Sequence, residues 1–243
     1  MARIILSIGT THPWNVAGVG RDLIVGCALR SRVFTAVAAI SVQDAGGVVA
    51  LRPVAADLFE SQLCVLPWES AGAVRVGALP TAQAVGLVTR ALAERPWLAA
   101  VVDPALRASR GGELGDAGAR EALRDELTRL PNVILTPNLA EAAFLLDCGS
   151  IGRDAMGESA RRLRERGAAA VLLTGGHLEG DPADALASAD GVEILSESRI
   201  AGSMHGTGCT LAMALACELA GGSALRDAVR AARSFVRAEI GKH

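Results

Sequence analysis

The chain has no tyrosine and only 3% aromatic residues. It therefore lacks a stacking platform for single-stranded nucleic acid, and its core must be aliphatic. Positive charge is not in excess either: a formal net charge of −2 gives no basic field to draw DNA, RNA or an anionic membrane. Cysteine is sparse. The five present (Cys27, Cys64, Cys148, Cys209 and Cys217) are odd in number, widely spaced and free of any C-x-x-C pair, which argues against a disulfide framework or a cysteine metal site and fits a reducing compartment. No apolar run reaches the length of a membrane span, and Ile4 to Ile8 is too short for a signal-peptide core. No G-x-x-x-x-G-K-[ST] phosphate loop occurs, and the segment Gly18 to Leu23 lacks the last glycine of G-x-G-x-x-G. The expectation is a cytoplasmic protein whose partner is a small molecule, with no nucleic acid and no membrane.

What is present is aliphatic and periodic. The 243 residues, 51% of them hydrophobic, suffice for one large domain spanning 1–243. Apolar strands are expected at Arg3–Ile8, Val33–Val42, Val48–Pro53, Ala73–Gly77, Trp97–Asp103, Val133–Thr136 and Ala169–Thr174. Helical spacing separates them at Ala17–Arg30, Ala55–Leu66, Thr81–Arg95, Ala117–Leu130, Asn138–Leu146 and Asp154–Arg166. A hairpin-like stretch then runs through Ile200, and helices at Thr207–Ala220 and Ala224–Ile240 close the chain. This alternation predicts an α/β fold: a three-layer α/β/α sandwich with a mostly parallel central sheet. Ligands in such sheets bind beyond the carboxyl ends of the strands. Arg107 to Asp116 reads as a mobile loop.

His205-Gly206-Thr207-Gly208-Cys209-Thr210 opens directly into the apolar run that starts at Leu211. A glycine-rich turn entering a helix aims backbone N–H groups and the positive end of the helix dipole at one point, which suits a phosphoryl group. Cys209 stands there, and a thiol at a helix N-terminus is expected to have a lowered pKa and to serve as proton acceptor for an attacking alcohol. The alternative is a helix start capped by Thr207, with two turn glycines and a buried cysteine.

Three other motifs fall at strand ends. Val101-Val102-Asp103-Pro104 puts a carboxylate where a metal or its water can be held, or where an Asp simply turns the chain. Asn138 and Glu141 have the N-x-x-E spacing of a capping box, which would face the same pocket. Thr174-Gly175-Gly176-His177 places two glycines where backbone can approach a phosphate, or merely turn.

In their order and spacing, these segments resemble the hydroxymethylpyrimidine/phosphomethylpyrimidine kinase family of the ribokinase-like superfamily. The resemblance rests also on Ala17-Gly18 with Asp22-Leu23, Gln43-Asp44 with Gly47-Val48, and Val76-Gly77. It implies a ribokinase-like sandwich, ATP with Mg²⁺, a homodimer, and transfer of the γ-phosphoryl group to a hydroxymethyl or phosphomethyl pyrimidine. By the same resemblance Gly206, Thr207, Gly208 and Cys209 hold the transferring phosphate, with Cys209 activating the hydroxyl. Thr11, Gly18, Gln43, Ala78 and Ala105 line the alcohol site, Gln43 meeting the polar edge of the pyrimidine. Asn138, Thr174, Gly175, Gly176 and His177 lie on the nucleotide side, His177 in a structural role, and Asp103 with Glu141 organises Mg²⁺.

The chain departs from the family pattern in its first loop. Asn15 and Val16 stand where the family has flexible glycines, His12 where it has an acidic residue, and Trp14 where it has a small one. Val16 does not easily adopt glycine-like backbone angles. Trp14 can fill the pocket, cover it, or stack on a heterocycle. Ala78 replaces a methionine, which leaves room in the pocket, and Thr174 replaces a lysine. These departures keep two alternatives open: a kinase for pyridoxal or another heterocyclic alcohol, and a ligand-binding module of the same fold that has lost catalysis.

Overall fold

The strand–helix alternation closes into one nine-stranded sheet. The computed structural model describes residues 3–44, 46–108, 111–176 and 178–242. Its strands are β1 (Arg3–Thr10), β2 (Ser31–Asp44), β3 (Gly47–Pro53), β4 (Ala73–Val76), β5 (Ala100–Val102), β6 (Val133–Leu135), β7 (Ala170–Thr174), β8 (Ala183–Ser188) and β9 (Gly191–Ser196). They lie in the order β3-β2-β1-β4-β5-β6-β7-β8-β9. The six central strands β2, β1, β4, β5, β6 and β7 are parallel to one another; β3 at one edge pairs antiparallel with β2, and at the other edge β8 pairs antiparallel with both β7 and β9. The mostly parallel expectation holds because the central strands alternate with crossover helices, and both edges end in hairpins.

The helices are α1 (Gly18–Ala28), α2 (Ala56–Cys64), α3 (Ala82–Ala93), α4 (Ala117–Asp125), α5 (Leu139–Leu145), α6 (Met156–Glu165), α7 (Thr207–Ala220) and α8 (Leu225–Ile240). Strand side chains point alternately to opposite faces, which gives each face its own core. Leu6, Ile8, Val74, Val76, Val102 and Leu135 pack with α2 to α6, whereas Ile5, Ala73, Val101 and Ile134 pack with α1, α7 and α8. Every residue of α7 from Thr210 to Cys217 is buried. A helix that is apolar all round must be covered all round, and α7 lies against β1, β4 and β5 with α1 and α8 flanking it.

Two expectations need correction. The strand expected from Trp97 begins only at Ala100, because the Leu98 N–H closes a turn onto the Arg95 carbonyl at 3.0 Å. The segment read as a mobile loop folds back on itself instead: Arg107 bridges Glu113, and the Leu114 N–H donates to the Leu106 carbonyl at 3.1 Å. The loop is also joined to β3, where the Val48 N–H donates to the Gly111 carbonyl at 3.4 Å. It and the β2–β3 hairpin cover the carboxyl ends of the strands.

Candidate active site

A cavity of about 360 Å³ opens at those carboxyl ends, where α7 also begins. Thr11, Gly18, Gln43, Ala78, Ala105, Asp103, Asn138, Glu141, Thr174 and Gly176 line it, together with Gly206, Thr207, Gly208 and Cys209. Thr11 and Cys209, 198 positions apart in sequence, therefore share one space.

The start of α7 depends on Gly206. This residue is the N-cap, with φ of 76°, a left-handed conformation that costs an L-residue about 1–2 kcal/mol. A Cβ here would lie 1.9 Å from the Val16 carbonyl oxygen, so the turn that opens α7 and the first loop touch backbone to backbone. The reading in which Thr207 caps the helix is overturned: Thr207 is the first helical residue, and no side chain caps this end. That leaves the first N–H groups of α7 facing the cavity, as an anion site requires. Within the first loop the left-handed positions fall on Asn15 (φ 53°) and Gly18 (φ 63°), both tolerant of them, and Val16 is spared. Trp14 is 58% exposed and does not line the cavity. The indole neither fills nor seals the pocket.

Beneath the cavity lies a buried charged cluster that the sequence reading missed. Arg75, in β4, sends its guanidinium up between Gly9 and Gly77; a Cβ on Gly77 would lie 2.0 Å from Nη1. Nη2 donates to Asp103 Oδ2 at 3.0 Å, and Nη1 lies 3.5 Å from Asp22 Oδ2, which also accepts from Ser7 Oγ at 2.6 Å. Burial works against ionisation of Asp22 and Asp103, and the Arg75 charge opposes that penalty. The signal in the sequence was an arginine inside the otherwise apolar Ala73–Val76, followed by glycine. Replacing Arg75 with methionine would strand two buried carboxylates, with an expected loss of about 3–5 kcal/mol. Thermal or urea unfolding checks this; a midpoint unchanged from wild type would rule out the cluster as a structural keystone.

Cys209 meets this cluster. Its thiol lies close enough to Asp103 and Arg75 to couple electrostatically to both, and a Cβ on Gly208 would come within 3.9 Å of Asp103 Oδ2. The expectation of a lowered thiol pKa is corrected: burial pushes the Cys209 thiol up to about 11, with Asp103 and Asp22 adding to the rise and only Arg75 and the Gly18 backbone opposing it. Desolvation of the thiolate outweighs the helix N-terminus.

Glu141 and Asn138 realise both of their readings. Asn138 Oδ1 accepts from the Glu141 N–H at 3.0 Å and Glu141 Oε2 accepts from the Asn138 N–H at 2.9 Å, a complete capping box whose two members also line the cavity. Glu141 is only 7% exposed. Burial, and then the charge of Asp103, push its carboxyl up to about 8. Among the described residues no three His, Cys, Asp or Glu side chains form a ready-made metal cage.

On the remaining wall the two glycines separate in role. Gly176 lines the cavity with open space where a side chain would be. Gly175 does not reach it: a Cβ there would lie 2.4 Å from the Ala183 carbonyl oxygen, and its N–H donates to Asp184 Oδ1 at 3.0 Å. Its glycine is needed for packing against β8. Asp184 is in turn held by Arg233 Nε at 2.8 Å. His177 lies outside the described residues. The cavity also takes in His12, Arg107 and Arg199, none of which the sequence reading assigned a role.

Residues 13–243 match the family described as phosphomethylpyrimidine kinase. A hydroxymethylpyrimidine/phosphomethylpyrimidine kinase of Rhizobium meliloti is 36% identical over 99% of this chain and 91% of its own length. A thiamine biosynthesis bifunctional protein of Geobacter sulfurreducens is 33% identical over 97% of this chain, which spans only 49% of that protein. Among solved structures, the pyridoxal kinase of Staphylococcus aureus superposes with a TM-score of 0.89 at 26% identity, over 99% of this chain and 88% of that one; it is known in complexes with pyridoxal, ADP and AMP-PCP. By the match over residues 13–243 and the identity to relatives along nearly its whole length, this chain belongs to the phosphomethylpyrimidine kinase family.

Proposed function

We propose that the chain transfers the γ-phosphoryl group of ATP to hydroxymethylpyrimidine or its monophosphate, in thiamine biosynthesis. The observation that carries this reading is the convergence of α7's free N–H groups, the Cys209 sulfur and the Asp103–Glu141 pair on one cavity. In this reading Gly206 to Cys209 cradle the transferring phosphoryl group, and Gln43 meets the ring. The Gln43 side chain is oriented accordingly. Its Nε2 donates to Ser41 Oγ at 2.9 Å, and Ser41 Oγ donates to the Thr11 carbonyl, which leaves Gln43 Oε1 as an acceptor. Thr174, Gly176 and Asn138 serve the nucleotide side, with Gly175 and His177 supporting that loop. The nucleotide complexes of the staphylococcal kinase support ATP as the donor.

The residues fit a divalent cation. Asp103 and Glu141 are both buried on the cavity wall, each harder to ionise than usual, and the one guanidinium of Arg75, already paired with Asp103 and Asp22, cannot neutralise all three carboxylates. Mg²⁺ is suited to such a site, since it binds through one or two carboxylates, substrate phosphates and water. When bound it would neutralise charge on the phosphoryl oxygens. Asp103 and Glu141 would hold it.

With its thiol raised to about 11, Cys209 stays protonated near neutral pH and orients the alcohol more than it draws the proton. In a loose transition state that proton leaves late. Cys209→Ala is expected to lower kcat about 10- to 100-fold, below most of the range of about 10²–10⁴ that a general base supplies, as suits a group that orients the alcohol. An ADP-release assay with hydroxymethylpyrimidine, its monophosphate and pyridoxal tests the whole reading. Faster turnover of pyridoxal would favour the second alternative, for which the small Ala78 on the cavity wall and the staphylococcal likeness speak. Binding with no ADP release would favour a module without catalysis.

We further read residues 1–243 as one kinase domain, acting in the cytoplasm on small molecules and not on nucleic acid. The single sheet and the net charge of −2 support this, and no helix is long and apolar enough to cross a membrane among the described residues. A homodimer is supported by the exposed Ile40, Val42 and Val49 on the edge hairpin.

A further inference from the structure

Arg21 does not line the cavity, yet it grips the turn that opens α7 from both sides. Reaching across from α1, its Nε donates to Thr210 Oγ1 at 2.9 Å, and its Nη2 lies 3.5 Å from Met204 Sδ. One guanidinium therefore touches the chain before and after Gly206. The same Nη2 donates to Glu239 Oε2 at 3.1 Å, near the end of α8. The Arg21 and Glu239 side chains are only 11% and 16% exposed, and Thr210 is fully buried. An ion pair so far out of water adds little net stability, because desolvation offsets the attraction. What it does fix is the Thr210 hydroxyl.

A hydroxyl has one proton to give and two lone pairs to receive. The Arg21 Nε–H occupies one lone pair of Oγ1, and the proton goes to the Gly206 carbonyl, 2.8 Å away. That carbonyl also accepts the Thr210 N–H at 2.9 Å. Two donors thus set its direction. In a planar trans peptide unit the C=O and the N–H point opposite ways, so holding the Gly206 carbonyl down the helix also holds the Thr207 N–H outward, toward the cavity that Thr207 lines. A glycine is the residue beside which a peptide unit swings most freely, which makes an outside restraint count here.

We propose that Arg21 is a positioning residue: acting through the Thr210 hydroxyl, it holds the Gly206–Thr207 peptide unit with its N–H aimed at the anionic oxygens of the transferring phosphoryl group. This rests on the kinase reading. The charge of Arg21 stays with Glu239 and takes no direct part in the transfer. Without Arg21 the hydroxyl is free to turn and the peptide unit to swing, while the walls that hold the alcohol and the nucleotide keep their shape. The loss then falls on the transition state rather than on substrate binding.

Three variants test the assignment. Arg21→Met keeps the apolar stem and removes the donor, Thr210→Val keeps the shape and removes the hydroxyl, and Thr210→Ser restores the hydroxyl. With the alcohol that wild type turns over fastest, Arg21→Met is expected to lower kcat about tenfold, less than the about 10²–10³ lost when an anion-hole donor is removed outright. KM for the alcohol should stay within about twofold. Thr210→Val should lose about as much and Thr210→Ser recover most of it. The double variant Arg21→Met with Thr210→Val should lose no more than the larger single loss, since both substitutions disable one device. Losses that multiply to about 100-fold in the double variant would overturn the proposal, as would wild-type kcat in Arg21→Met. Should Arg21→Met not fold, a kcat for Thr210→Val within about twofold of wild type would overturn it as well. A second readout needs no turnover: the Thr207 amide signal, followed by NMR as inorganic phosphate is added, should shift in wild type and shift much less in Arg21→Met. An equal response in the two proteins would sink the positioning role. If wild type releases no ADP with any of the alcohols, the kinase reading fails, and the phosphate titration by itself decides whether Arg21 orients the turn.

Discussion

Gly206→Ala is expected to abolish most activity, with kcat/KM falling about 100-fold or more. Two effects add. The added methyl group would meet the Val16 carbonyl oxygen at 1.9 Å, backbone against side chain with no flexible end to give way. The residue is also held at φ 76°, where alanine is strained by about 1–2 kcal/mol. Relief requires the first turn of α7 to rotate or the first loop to retreat, and either displaces the N–H groups that face the cavity and, in the proposed reading, hold the phosphoryl group. Loss of one such donor in comparable anion holes costs about 10²–10³ in rate. Gly208→Ala provides the comparison: its Cβ would have open space out to Asp103 Oδ2 at 3.9 Å and no positive φ to sustain. A milder loss at Gly208 than at Gly206 is the expected order. Steady-state kinetics and circular dichroism on both variants check it, and an active, normally folded Gly206→Ala would refute the account of the anion loop.

The second large effect concerns Glu141 and pH. In the unfolded chain its carboxyl ionises near the ordinary value of 4.5, whereas in the fold it holds its proton to about 8. Between those values the native state binds more protons than the unfolded state. Without a divalent cation, stability therefore falls as pH rises through this window, and levels off above it. Asp103, raised in the same direction by burial, adds to the fall. The expected loss is about 2–4 kcal/mol between about pH 5 and about pH 8. Glu141→Gln keeps the capping box, since Gln serves at that helix position, and should flatten the pH dependence while weakening the metal requirement. Millimolar Mg²⁺ should restore wild type at about pH 8 and leave the variant nearly unmoved. Melting curves in chelator and in Mg²⁺ decide the matter. A wild type as pH-independent as the variant would remove Glu141 from the metal site.

Much of this molecule was legible in its residues. The helix expected at Thr207–Ala220 forms over those very residues, since an apolar run opened by Gly206-Thr207-Gly208 has few other options. Asp103, Asn138, Glu141 and Gly176, singled out because strand ends carry their own turn chemistry, all line the cavity. Less legible was anything that depends on depth. The sequence places Cys209 at a helix start and so forecasts a lowered thiol pKa, with a buried cysteine as the alternative; that desolvation prevails, with Asp103 nearby, and reverses the sign is decided by the fold. Nor does it say that Gly175 packs against β8 while its neighbour Gly176 faces the cavity.

By itself, the order of apolar strands, helix starts and turn residues determined the α/β sandwich and the set of strand ends that would carry the chemistry, because those choices are made by local periodicity and backbone conformation. Tertiary structure alone decided which charges are desolvated and which side chains share a wall. Arg75 threaded between Gly9 and Gly77, His12 beside His205 and Trp14 turned outward are all consequences of contacts between segments far apart in the chain. Solvation energies are set by such contacts and not by neighbours in sequence.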